Sequence, residues 1–148
     1  MLHIKSCKKN ERGSTLVEFA IGITVFATAM FAVLEFGRAL WVHNALSDAA
    51  RRGARYAVLH SSGSAAQVKN IVVYGNEAGT GQPMLNDLTA ANVNVVYNNF
   101  GLNDGTVSVS ITGYQFQLVI PIIGRTITMP SYTTTLGAES AGFLPANV

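Results

Sequence analysis

The sequence predicts an α+β protein in which a long N-terminal membrane-spanning helix packs, in its second half, against a small antiparallel β-sheet module. Three observations predict it. The stretch Leu16 to Leu34 is apolar or small except at Glu18. No proline or other stop interrupts the chain from Ser14 to His60. From Val93 onward, apolar residues alternate with polar ones at the period of strands.

The apolar run comes first in the chain. As a helix it is about 28 Å long at 1.5 Å per residue, enough to cross a bilayer. Arg12 bounds it on one side, Glu35 and Arg38 on the other, and Trp41 stands where an interfacial aromatic belongs. Ahead of it, Lys5, Lys8, Lys9 and Arg12 against Glu11 give residues 1–13 a charge of +3, leaving 2 − 3 = −1 for the rest of a chain whose formal charge is +2. Cations placed directly before an apolar segment hold that end on the cytoplasmic side, so the expected topology is N-terminus in and C-terminus out. The same reading leaves the basic tail no role with nucleic acid.

Continued to His60 without a break, the helix would be about 69 Å long, with residues 14–36 in the membrane and 37–60 beyond it. Ser61, Ser62, Gly63 and Ser64 end it. Two sets of small side chains lie at helical spacing. Ala20, Thr24, Thr28 and Ala32 recur every four residues in the apolar half, a pattern that favours helix contact in lipid. Ala49, Ala50, Gly53, Ala54 and Ala57 share a face in the second half, where another element can approach closely, while Asp48 can reach Arg51 and Arg52.

Residues 61–148 form the outer module. A short amphipathic helix is expected from Ser64 to Tyr74, stopped by Gly75. Residues 75–92 read as a long loop with one turn of helix around Leu85 to Leu88. Val93, Val95 and Tyr97 mark one strand and Val107, Val109 and Ile111 the next, joined across Asn103-Asp104-Gly105. Tyr114, Phe116, Leu118 and Ile120 continue the alternation past a bend at Gly113, and a third, Thr-rich strand from Arg125 to Leu136 is interrupted at Pro130. The apolar patch Leu118 to Ile123 is read as buried against the helix, with a membrane or partner surface as the alternative.

Several classes of chemistry find no residues to carry them. The only cysteine, Cys7, lies in the basic tail, so the outer module is expected to fold without disulfides. His3, His43 and His60 are far apart, and no pair has the spacing of a metal site. Asp87, Asp104 and Glu139 stand alone, and the glycines from Gly75 to Gly81 lack the Gly-Lys pair of a phosphate loop. The expectation is a protein with no metal, no cofactor and no enzymatic reaction.

The stretch Gly13-Ser14-Thr15-Leu16-Val17-Glu18-Phe19 resembles the processing site of type IV prepilins. The resemblance implies that residues 1–13 are a leader cut after Gly13 by a prepilin peptidase. Ser14 then becomes the first mature residue, Glu18 the fifth, and Phe19 occupies a position where many pilins of the tight-adherence (Tad) class carry an aromatic. A carboxylate inside an apolar segment costs about 2.5 to 3.5 kcal/mol at a helix centre and less near its edge. The resemblance supplies a partner in the new α-ammonium of Ser14, on the same or a neighbouring subunit. The alternative for Glu18 is that it snorkels to the cytoplasmic interface. An ordinary secretory signal cut near Ala27-Thr28-Ala29 is the rival for the whole segment, but Glu18 interrupts it and Met30 to Leu34 continues it past the cut.

Phe36-Gly37-Arg38 and Ala49-Ala50-Arg51-Arg52-Gly53-Ala54-Arg55-Tyr56-Ala57 extend the likeness over about residues 12 to 60, and the pattern is similar to that of TadE-like proteins, with Arg52 where many members have an acid. The resemblance implies a pilin-like fold and a minor subunit of a Tad pilus. Its partners would be the peptidase, other pilin-like subunits, the pilus assembly platform in the cytoplasmic membrane, and the lipid bilayer. The rivals are a signal-anchored periplasmic binding or structural protein, and a membrane-tethered enzyme using the polar loop 75–92.

Overall fold

A computed structural model describes residues 12–99, 105–119 and 126–137. The chain divides into two compact units, Met1–Gly37 and Arg38–Val148. Helix α1, Arg12–Leu59, supplies all of the described first unit and opens the second. It stops one residue short of the expected His60. The mixed architecture is α+β, a long apolar N-terminal helix followed by a small antiparallel module.

In the second unit a one-turn 3-10 helix at Ser62–Ser64 leads into helix α2, Ala65–Tyr74. Val68 and Val72, four apart, and Val73 are fully buried, so the inward face follows the helical period. Gly75 ends α2 in the left-handed conformation, its amide bonding to the Ile71 carbonyl. In the following loop Leu85 to Leu88 forms a single hydrogen-bonded turn, with Asp87 at a φ of 65°, where the sequence suggested a turn of helix. A one-turn 3-10 helix, Ala90–Asn92, then precedes the strands.

The main sheet holds β1 (Val93–Asn98), β2 (Thr106–Ile111) and β5 (Tyr132–Gly137) in the order β1-β2-β5, all antiparallel. Register sets its inner face: Val93 and Tyr132 flank Ile111, Val95 and Thr134 flank Val109, and Tyr97 and Leu136 flank Val107. The three β2 residues are completely buried. On the outer face the Ser108 and Thr135 hydroxyls hydrogen-bond at 3.0 Å.

The single third strand expected from Arg125 to Leu136 is two strands in two sheets. β4 (Thr126–Thr128) pairs with β3 (Gln115–Gln117), and the chain passes through Pro130 before β5 joins the main sheet. Proline has no amide to donate, so a ladder breaks there. The expected bend at Gly113 has a φ of 68°, which side chains with a Cβ rarely adopt, and it turns the chain from β2 into β3. The turn Asn103-Asp104 and most of the Leu118 to Ile123 patch lie outside the described residues. Within that patch Leu118 is half-buried and Val119 exposed.

Within this unit the core joins α1, α2 and the sheet. Leu46, Ala49, Ala50, Ala54, Ala57 and Val58 of α1 lie with the α2 valines and the inner sheet face. Gly53 is the point of closest approach. A Cβ there would strike the Val72 side chain and come within 3.3 Å of Val109 Cγ1. At about 0.8 kcal/mol per buried methylene, contact of this kind is the main force holding a module without disulfides.

Candidate functional site

The first unit carries the residues singled out for processing and subunit alignment. Gly13, Ser14, Glu18 and Phe19 are all exposed on α1, Gly13 and Ser14 within its first turn. From Leu16 to Leu34 every side chain is exposed apart from half-buried Ala27, which leaves Phe19, Ile21, Phe26, Phe31 and Val33 without cover. The segment is long and apolar enough to cross a membrane.

The small-residue row of that segment is also exposed. Thr24 Oγ1 donates to the Ala20 carbonyl and Thr28 Oγ1 to the Thr24 carbonyl, each at 2.8 Å. The hydroxyl hydrogens are thereby used within the helix, as an apolar solvent requires, and Ala20, Thr24, Thr28 and Ala32 form a groove of low relief. The second small set, Ala49, Ala50, Gly53, Ala54 and Ala57, is entirely buried in the core of its own unit. The two rows therefore differ in what they face. One is open and the other already has α2 and β2 against it.

On the opposite side of the second half of α1, Asp48 pairs with Arg52 at 3.2 Å, the i,i+4 partner and not Arg51. Arg52 also reaches the Met84 sulfur at 3.1 Å. Further along, the Tyr56 and His60 rings stack at 3.8 Å, with His60 Nδ1 on the Tyr56 carbonyl.

A polar cleft in the second unit was missed by sequence reasoning. A cavity of about 490 Å³ is lined by Arg38 and Trp41 of α1, Asp87 of the loop, Tyr114, Gln117 of β3 and Val119. The Arg38 guanidinium carbon lies 5.2 Å from the Phe116 ring centroid. Gln117 Nε2 donates to Asp87 Oδ2 at 2.9 Å, and the Tyr114 hydroxyl to the Asn86 carbonyl at 2.8 Å. Burial pushes the Tyr114 phenol above its ordinary range, the Asp87 charge adds to the shift, and the Arg38 charge opposes it. Asp87 read as an isolated acid because its partner is thirty positions away; only its position between Asn86 and Leu88, a turn-forming stretch, was visible locally.

Among the described residues, no group of three or more His, Cys, Asp or Glu side chains converges as metal ligands would. No curated protein and no solved structure matches the chain. Residues 13–55, under a third of the chain and lying within α1, match the family model described as TadE-like protein, so this N-terminal helix is similar to that of TadE-like proteins.

Proposed function

We propose that the protein is a minor pilin-like subunit, cut after Gly13 by a prepilin peptidase, that acts in the assembly, initiation or regulation of a Tad-type adhesive pilus and catalyses no reaction itself. One observation carries this reading. The apolar, uncovered run from Leu16 to Leu34 holds a single acid, Glu18, five residues past a glycine, inside the segment that matches TadE-like protein.

The chemistry runs as follows. Helix ends fray, and glycine in the first turn weakens the helix by up to about 1 kcal/mol relative to alanine, so the Gly13–Ser14 peptide can be drawn into the extended form that peptidases bind. Hydrolysis leaves Ser14 with a free ammonium. Glu18 lies one helical turn on, on the same face, so the amine and carboxylate can meet within one chain or across to a neighbour. In lipid the pair offsets the burial of each charge, and only one axial stagger between subunits allows it. The open row Ala20, Thr24, Thr28 and Ala32 then gives neighbouring helices a surface for close approach. The bilayer, other pilin-like subunits and the membrane assembly platform are the partners in this reading. The N-terminus is cytoplasmic and the outer module extracytoplasmic.

N-terminal sequencing of the membrane-extracted protein from cells with the pilus system intact tests it. A mature chain beginning at Ser14 supports the proposal, with Gly13→Phe abolishing the cut. A start near Met30, or a mature mass that Gly13→Phe leaves unchanged, would rule it out in favour of a secretory signal, and a wild-type chain that keeps Gly13 would rule it out in favour of a plain anchor.

A further inference from the structure

The cleft of the second unit has polar groups that are occupied within the protein and an apolar rim that is not covered. Gln117 donates to Asp87, the Tyr114 hydroxyl donates to the Asn86 carbonyl, and the Arg38 guanidinium carbon lies 5.2 Å from the Phe116 ring centroid. At the rim, Trp41 is 63% exposed and Val119 68%. A single exposed apolar side chain needs no explanation. Here two large ones, from α1 and from the end of β3, are brought to the same cleft from distant parts of the chain.

The depth of that rim follows from α1. Trp41 stands seven residues past Leu34, the last of the apolar run, which is about 10 Å along an unbroken helix. A helical side chain leans toward the N-terminus over the preceding turn, so the indole reaches back to about 5 Å past Leu34. The headgroup layer on each side of a bilayer is about 5 to 8 Å thick, and indole rings collect in it because they pair an apolar body with an N–H. The end of β3 lies at the same level. Arg38, beside the Phe116 ring, is one turn nearer the apolar run than Trp41, and Phe116 precedes Val119 by three residues. We propose that the second unit is seated on the bilayer through this rim, with Trp41 and Val119 both in the headgroup layer of the membrane that α1 crosses. A helix alone leaves the unit free to turn about the helix axis. A second lipid contact away from that axis fixes which face the unit presents to its neighbours.

The inference rests on the membrane reading given above, and its test separates the two. Full-length protein is reconstituted into phosphatidylcholine vesicles in which part of the lipid is brominated close to the glycerol, and quenching of tryptophan emission is measured. Trp41 is the only tryptophan, so the unaltered chain reports that position alone. In a Trp41→Phe background, Val119→Trp probes the rim and Leu59→Trp the far end of α1, an exposed apolar position about 38 Å along the helix from Leu34. Val119→Trp should be quenched at least half as strongly as Trp41, with emission shifted to shorter wavelength, and Leu59→Trp should be unquenched. Should a variant not fold, the unaltered protein decides. A phospholipid with a photoreactive group near the glycerol is expected to leave adducts, mapped by mass spectrometry, both at Trp41 and within residues 115–119. Quenching of Val119→Trp no greater than that of Leu59→Trp, or adducts at Trp41 with none in residues 115–119, overturns the proposal and leaves the rim to a protein partner. Trp41 unquenched in protein that has entered the vesicles overturns it as well. Protein that does not enter the vesicles sinks the membrane reading together with this one.

Discussion

His43 Nδ1 and the Tyr132 hydroxyl meet at 2.8 Å, with their rings edge to face at a centroid distance of 5.1 Å, and so tie α1 to the first residue of β5 across 89 positions of sequence. Tyr132 is buried, and β5 is an edge strand held to the sheet by β2 alone. The contact is thus a second attachment for an element that otherwise depends on one ladder. Tyr132→Phe keeps the ring and removes the oxygen, and it is expected to cost about 1 kcal/mol. A double-mutant cycle with His43→Ala, read by thermal unfolding, should return a coupling of about 0.5 kcal/mol or more. Strict additivity would show that the contact contributes nothing.

That pair also marks where sequence reasoning stops. The apolar run, the serine and glycine stop after Leu59, the α2 face and the alternation of β1 and β2 are local patterns, and each appears in the structure. Strand order is not local. Alternation shows that Val107, Val109 and Ile111 share a face, but not that β5, rather than β3, lies beside them. The bend at Gly113 and the break at Pro130 were both legible. Their combined effect, diverting β3 and β4 into a second sheet, depends on pairings such as Phe116 with Ile127 that no spacing encodes. The polar cleft was hidden for the same reason, since Arg38, Asp87 and Gln117 come from three elements.

Gly53 tests the packing of the second half of α1. Its missing Cβ is the space that Val72 and Val109 occupy, and both are β-branched side chains with little rotamer freedom to yield. Gly53→Ala should therefore lose about 1 to 3 kcal/mol through overpacking, even though alanine is the better helix former. Gly37→Ala, with nothing within 4 Å of its added methyl, should instead be neutral or stabilising by up to about 1 kcal/mol. Chemical unfolding of the two variants side by side checks the contrast, and equal effects would contradict the close approach at Gly53.

Alkaline pH should loosen the second unit. Burial raises the phenols of Tyr97, Tyr114 and Tyr132 above the ordinary tyrosine value of 10.0, Tyr97 with a further contribution from Tyr56 and Tyr114 with one from Asp87. A group whose folded pKa is raised binds its proton more tightly when folded. Its contribution to stability is therefore complete below the unfolded value and disappears as pH rises through the folded one. The melting temperature should be insensitive to tyrosine ionisation below about pH 9 and decline above about pH 10. Tyrosinate absorbance followed alongside the melt should show a late-titrating fraction that ionises as structure is lost. Ionisation of all five tyrosines at the ordinary value, with no loss of structure, would contradict the burial argument.

Glu18 separates two steps of the proposed function that act on the same few residues. In that proposal, cleavage needs an accessible Gly13–Ser14 peptide, whereas alignment in a filament needs a negative charge one turn further along. Glu18→Gln keeps the size and hydrogen-bonding capacity of the side chain and removes only that charge, so the processed chain should still begin at Ser14. A neutral amide costs less to bury than an unpaired carboxylate, so the variant should also remain in the membrane at least as well as the wild type. What it loses is the single favourable stagger, and its share of sheared filaments relative to membranes should drop several-fold, about the effect of losing 1 kcal/mol of pairing. Quantitative immunoblotting of the two fractions, with N-terminal sequencing of each, provides both readouts. If Glu18→Gln stays unprocessed, the acid serves the peptidase; if it enters filaments at the wild-type level, the ammonium–carboxylate pairing is not what sets the subunit register.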